Sequence, residues 1–169
     1  FTIVYDGSTN PQVATYTATN LDPGRQYQFK VQALDVNNEG DESTAFAIYA
    51  CGIPTGLEAP SITDASGAAF TVSWSSPLSD GGCPIINITV YIDDGAGGDI
   101  VNEVVTVTDG SVSYTDSTTL TLSDRGKSYR VAVKATNTIG SVTSSSTLFI
   151  LADIPGTPTP KPQSDSEYT

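Results

Sequence analysis

Apolar and polar residues alternate in short runs along the whole chain, and no run sustains a helical period. Between residues 57 and 153 the pattern predicts seven strands, at 59–64, 69–75, 84–93, 100–108, 112–121, 129–137 and 145–152. Turn signals separate them, notably Ser79-Asp80-Gly81-Gly82, Asp93-Asp94-Gly95 and Asp124-Arg125-Gly126. Seven short strands in about 100 residues predict an immunoglobulin-like β-sandwich. Upstream, four further runs are predicted as strands, at 1–5, 13–19, 27–35 and 45–50, with a polar loop from Asp35 to Ser43. Four strands are too few to cover a sandwich core.

One block occurs twice. Tyr27-Gln28-Phe29-Lys30-Val31-Gln32-Ala33-Leu34-Asp35 and Tyr129-Arg130-Val131-Ala132-Val133-Lys134-Ala135-Thr136-Asn137 each open on a Tyr and alternate apolar residues. Such duplication predicts an array of similar β units. Between the units, Gly52-Ile53-Pro54-Thr55-Gly56 reads as a linker, because Pro and Gly punctuate it and no period runs through it. After Asp153 comes a second, Pro-rich stretch, Ile154-Pro155-Gly156-Thr157-Pro158-Thr159-Pro160-Lys161-Pro162. Proline lacks the ladder N–H, so this tail is expected to be extended and stiff rather than part of a sheet. Its resemblance to Ile53-Pro54-Thr55-Gly56 predicts the start of a further unit.

The pattern of Trp74 in the strand Phe70-Thr71-Val72-Ser73-Trp74, followed by Tyr129, Val131, Val133, Ala135, Asn137 and Gly140, resembles the fibronectin type III family. Leu21-Asp22-Pro23-Gly24-Arg25-Gln26-Tyr27 resembles the family's turn before its Tyr-corner strand. Loops such as Asp80-Gly81-Gly82-Cys83-Pro84 look like those of long tandem arrays on protist cell surfaces. The resemblance implies tandem sandwiches joined by Pro/Gly linkers. Residues 1–53 are then the C-terminal part of one domain, 54–153 a complete domain, and 154–169 a linker with the start of the next. Trp74, Tyr27 and Tyr129 are expected core markers, since an aromatic ring can bury about 150–250 Å². Three positions depart from the pattern: Ser123 stands where the first unit has Leu21, and Asp35 and Asn38 stand where the second has Asn137 and Gly140. The family's integrin-binding Arg-Gly-Asp triplet is missing, so that activity is not carried over.

In a sandwich of this topology Cys83 lies in a turn at the pole facing the preceding domain, and Cys51 ends that domain's last strand. An interdomain Cys51–Cys83 disulfide is therefore within topological reach, provided the Cα atoms approach to roughly 4.4–6.8 Å. The alternative is two unpaired thiols. With no His and only these two Cys, the thiols fall short of a four-ligand metal site.

Composition narrows the function. Charged residues are 15% of the chain, against roughly 25% in an average soluble domain, and the net charge is −12. Seven Lys and Arg cannot form the basic stripe that nucleic acid requires. No segment reaches the ~18 apolar residues of a membrane span. Without His, a Gly-x-Ser-x-Gly turn or a phosphate loop, no catalytic set or cofactor site is legible. The Asp93–Asp99 loop reads as a solvated turn, because no calcium-loop spacing is present. Asn87-Ile88-Thr89 is an N-glycosylation sequon. Period two places Asn87, Thr89 and Tyr91 on a wet face and Ile86, Ile88, Val90 and Ile92 inside. Thr157 and Thr159, between prolines, suit O-linked sugars.

The chain is thus expected to be a non-enzymatic, structural or adhesive segment of an extracellular or cell-surface tandem protein. Its expected partners are its own copies or neighbouring repeats, and its chemistry is a disulfide and attached glycans. A ligand-binding adhesion module and an accessory domain of a secreted hydrolase are the competing readings.

Overall fold

In the computed structural model, residues 1–36, 39–153, 155–157 and 159 are described. The second unit is a two-layer sandwich. One layer contains β5 (Ser61–Ser66), β6 (Ala69–Ser73) and β9 (Ser113–Asp116), in the order β5-β6-β9. The other contains β7 (Asn87–Ile92), β8 (Asn102–Val107), β10 (Ser128–Thr136), β11 (Ser141–Thr143) and β12 (Thr147–Ile150). Here β10 pairs with β7 on one side and with both β11 and β12 on the other. The expected all-β sandwich is present.

Alternation along β6 and β10 aims Phe70, Val72, Val131, Val133 and Ala135 into the gap between layers, where all five are fully buried. Trp74 closes one end of that core. At the other, the rings of Phe70 and Phe149 lie 5.2 Å apart and those of Tyr129 and Phe149 5.8 Å apart. Every buried residue of the cluster falls between Leu57 and Leu151. The second unit therefore builds a core from its own chain.

The strand expected at 145–152 is present as β12, and an additional short strand, β11, precedes it across Ser144. The Ser144 N–H donates to the Val133 carbonyl (2.9 Å), and its hydroxyl accepts from the Val133 N–H (3.1 Å). A side chain replaces one backbone rung there, so the strand bends and re-pairs. Around Tyr129 the corner is also rearranged. Thr121–Asp124 forms a side chain-backed turn leading through a short 3-10 helix (Leu122–Asp124), and the buried Leu120 supplies apolar packing that Ser123 cannot.

The first segment is built from two small hairpin pairings. β1 (Gln26–Phe29) pairs with β4 (Phe46–Tyr49), and β2 (Gln32–Leu34) pairs with β3 (Glu39–Glu42). Three expectations are corrected. The Tyr27 strand is broken in two at Lys30 and Val31, the loop expected from Asp35 to Ser43 contains β3, and residues 1–5 and 13–19 form no strand. Alternation alone does not make a strand: the ladder needs a partner, and no other described strand runs beside 1–5 or 13–19. Those residues instead meet through the Tyr5 and Tyr16 rings, 5.6 Å apart. The expected turn position Asn38 lies outside the described residues.

Candidate functional site: the stapled joint

Cys51 follows β4, and Cys83 follows the Ser79-Asp80-Gly81-Gly82 turn between β6 and β7. They form a disulfide, with Cα atoms 5.6 Å apart. Around it the linker and the sandwich are hydrogen-bonded. The Gly52 N–H donates to the Gly81 carbonyl (2.8 Å), and Thr55 and Ser79 exchange a pair of backbone hydrogen bonds (2.9 and 3.2 Å). The Asp80 carboxylate accepts the Gly82 N–H (2.7 Å) and so shapes the turn that presents the thiol.

Asn137 is the polar centre of this joint and is only 3% exposed. Its Nδ2 donates to the Gly52 carbonyl of the linker and to the Asp80 carbonyl of the turn, both at 2.8 Å. Its Oδ1 accepts the N–H groups of Ile139 (2.9 Å) and Gly140 (3.1 Å). One side chain thus ties the end of β10 to both sides of the hinge. A carboxylate could not do this, because it has no N–H to donate.

Packing at the joint depends on missing side chains. A Cβ on Gly82, whose φ is 83°, would sit 2.2 Å from the Gly24 backbone, and one on Gly81 would sit 2.2 Å from the Gly52 carbonyl oxygen. Two backbones therefore touch where the Pro23-Gly24 turn of the first segment meets the Gly81-Gly82 turn of the sandwich. Sequence reasoning pointed to the thiols but missed this contact and the bridging role of Asn137. The signal was present in the Gly-Gly pair beside Cys83, since a close backbone approach is one reason for glycine at a turn.

The remaining candidate residues are dispersed. Trp74 and Tyr129 are buried in the core, while Tyr27 is half-buried and its hydroxyl accepts the Asp22 N–H (2.9 Å). Asn87 opens β7 and is half-buried, at the rim of a shallow cleft lined by Trp74, Ile86 and Val112. Its neighbours differ from expectation. Thr89 is only 4% exposed and shares a 3.0 Å hydrogen bond with the Thr106 hydroxyl, because β7 is flanked by strands on both sides. Ile86, expected inside, is 49% exposed, since it precedes the strand and lies beyond the covered core. Thr157 and Thr159 are exposed, far from the joint in sequence; Pro158, Pro160, Lys161 and Pro162 lie outside the described residues.

The acidic turn at Asp93 is internally satisfied. The buried Asp93 carboxylate accepts the Arg130 Nε–H (2.9 Å) and the Arg130 backbone N–H (3.0 Å), and Asp94 accepts from the Ala96 and Gly98 amides. Hydrogen bonds from those amides hold the Asp94 carboxyl below its ordinary pKa. Among the described residues, no three His, Cys, Asp or Glu side chains are grouped to hold a metal ion.

No sequence-family profile matches the chain. Several solved structures share its fold. A crystal structure of a stretch of titin domains superposes with a TM-score of 0.55 at 22% identity, over 66% of this chain and 36% of that one. The kinase region of twitchin from C. elegans matches with a TM-score of 0.52 at 22% identity, over 60% of this chain and 17% of its own length. A human fibronectin type III domain, the sixth of a protein containing several, matches with a TM-score of 0.51 at 19% identity, over 64% of this chain and 94% of that domain. The chain thus spans about a third of the titin structure, 36%, and nearly all of a single fibronectin type III domain, 94%. By fold, the sandwich is fibronectin type III-like.

Proposed function

We propose that the chain is a non-catalytic structural or adhesive segment of an extracellular or cell-surface protein, and that its working part is the joint rather than a pocket. The observation carrying this reading is the disulfide between Cys51 and Cys83, set among backbone contacts that link a preceding segment to a complete sandwich. A disulfide in a domain that already has its own core fits an oxidising compartment. Its place across a linker suits control of angle more than rescue of folding.

In this reading residues 1–53 are the end of one domain, 54–153 the next, and 154–169 the beginning of a third. Force or binding at one end passes to the other through the covalent staple, Asn137 and the Gly24–Gly82 contact. Copies of the same chain or neighbouring repeats are its partners, and glycans at Asn87, Thr157 or Thr159 would decorate the outside. No residue is assigned to catalysis.

The test is orientation. Residual dipolar couplings on the oxidised chain should fit one alignment tensor for β1–β4 and β5–β12 together. Asn137→Ala should loosen the fit while the sandwich core keeps its chemical shifts. Two independent tensors in the oxidised wild-type chain would sink the reading, as would a disulfide that reforms between different molecules in native material.

A further inference from the structure

The contacts that dock the first segment onto the sandwich start from a small backbone frame, and the sandwich carries the same frame again at its far end. In the first segment the Gly24 N–H donates to the Ala50 carbonyl (2.7 Å), and the Ala50 N–H donates to the Arg25 carbonyl (2.9 Å). In the second the Gly126 N–H donates to the Leu151 carbonyl (2.8 Å), and the Leu151 N–H donates to the Lys127 carbonyl (3.3 Å). Gly24 and Gly126 share a left-handed backbone, with φ of 80° and 83°. Matching the two frames places Arg125 where Pro23 stands, Ala152 where Cys51 stands and Asp153 where Gly52 stands. In sequence, Ile154-Pro155 then follows Asp153 as Ile53-Pro54 follows Gly52.

The two frames differ in occupancy. A Cβ on Gly24 would touch Gly82, whereas one on Gly126 would meet nothing within 4 Å among the described residues. The frame also tolerates its new residues. A Cβ at the Gly52 position meets nothing closer than 3.4 Å, so Asp153 fits there. The Arg125 side chain folds back onto its own unit, with Nη2 2.8 Å from Asp153 and Nε donating to the Gly67 carbonyl (3.3 Å), so that among the described residues it does not cover Gly126.

We propose that the Arg125-Gly126 turn with Ala152 and Asp153 is a docking socket for the acidic Gly-Gly turn of another sandwich of this type, held without a covalent bond. The occupant follows from the filled joint, where the turn seated against Gly24 is Asp80-Gly81-Gly82. An incoming turn of that kind brings an Asp carboxylate toward the pole that carries Arg125, in place of Pro23. No disulfide can form, because Ala152 has no thiol. The stapled joint and this socket would therefore make one stiff link and one compliant link from the same backbone geometry. The inference rests on the structural reading proposed above and adds to it the partner and the surface.

The test extends the full chain after Asp153 with a second copy of residues 53–153, whose Cys83 is changed to Ala so that it cannot compete for Cys51. The added copy contains the complete core described above. A nuclear Overhauser contact between the Hα protons of Gly126 and of Gly82 in the added copy is expected, together with its loss on Gly82→Ala in that copy. Arg125→Gln should weaken the contact, and added salt should weaken it in the wild-type pole. Absence of the Gly126 contact while the Gly24–Gly82 contact persists overturns this inference alone. Absence of both overturns the rigid-joint reading with it.

Discussion

The same hairpin stands in two settings in this molecule. In the sandwich, Val133 exchanges hydrogen bonds with Ser144, whose hydroxyl then donates to the Ser145 carbonyl (2.8 Å). In the first segment, Val31 exchanges the same bonds with Ser43 (2.8 and 3.0 Å), whose hydroxyl donates to the Thr44 carbonyl (3.1 Å). The break in the returning strand is copied too: β4 and β3 correspond to β12 and β11, although β10 is continuous where β1 and β2 are separate. Yet Val133 is 0% exposed and Val31 74%. The backbone pattern is therefore written locally, by a serine that can stand in for a rung, whereas burial depends on a facing layer that, among the described residues, only the second unit possesses.

The largest break in this comparison should come from matched truncations. Phe149 pairs with Tyr129 in the ladder, as Ile48 pairs with Tyr27. Phe149→Ala should cost about 3–5 kcal/mol of unfolding free energy, as expected for a buried aromatic. Ile48→Ala should cost under about 0.5 kcal/mol, in the range of surface changes. Urea denaturation followed by Trp74 fluorescence would read both, and equal costs would mean that the first segment has a core of its own.

The next effect concerns the joint. Gly82→Ala places a methyl against the Gly24 backbone at a positive φ, so it should part the two turns at a local cost of about 1–3 kcal/mol. Faster amide exchange at Gly24 and Gly52, with protection in β6 and β10 unchanged, is the expected signature. Matching exchange in variant and wild type would show that the backbones do not meet in solution.

A smaller contrast tests the serine itself. Ser144→Ala leaves the buried Val133 N–H without its hydroxyl acceptor and should cost about 1–3 kcal/mol. Ser43→Ala exposes the Val31 N–H to water, which can replace the hydroxyl, so its effect should be near zero. If the two variants melt alike, solvent rather than the core decides the value of this bond.

The smallest effect is electrostatic. A hydrogen bond from Lys127 (2.8 Å), followed by those from Thr121, holds the Asp124 carboxyl well below the ordinary carboxylate range. Because the folded value is depressed, the stabilisation is complete above the ordinary value of 3.8 and declines as pH falls below it toward the folded one. Asp124→Asn should flatten that part of the stability profile and lower the neutral-pH melting temperature only slightly, since a half-buried carboxylate near the surface is screened by solvent. An unaltered acid slope would assign the loss to other carboxylates, such as Asp94 or Asp109.

Much of the sandwich was legible because strand periodicity and turn residues are local signals. Trp74, the run from Tyr129 to Ala135 and the Gly-containing turns place layers and core without any knowledge of neighbours. The outer face of β7 was misread for the opposite reason. Polarity suggested water around Thr89, but being a central strand covers both of its edges, and a hydroxyl can be buried once Thr106 satisfies it. Residues 1–5 and 13–19 show the converse failure, with strand-like alternation and no described strand beside them to make a ladder.

What the sequence determined by itself is the unit: a repeated Tyr-led hairpin, an all-β sandwich, two thiols flanking a Pro/Gly linker, and the lack of a legible catalytic set. What only the tertiary structure decided is the joint. The Gly24 and Gly82 backbones lie far apart in sequence, Asn137 reaches a linker carbonyl across 85 residues, and Gly126 repeats the Gly24 frame with no such occupant among the described residues. Periodicity reports which way a side chain faces within one strand. It carries no information about which two turns, each well formed on its own, are brought together, because that is settled by packing between units.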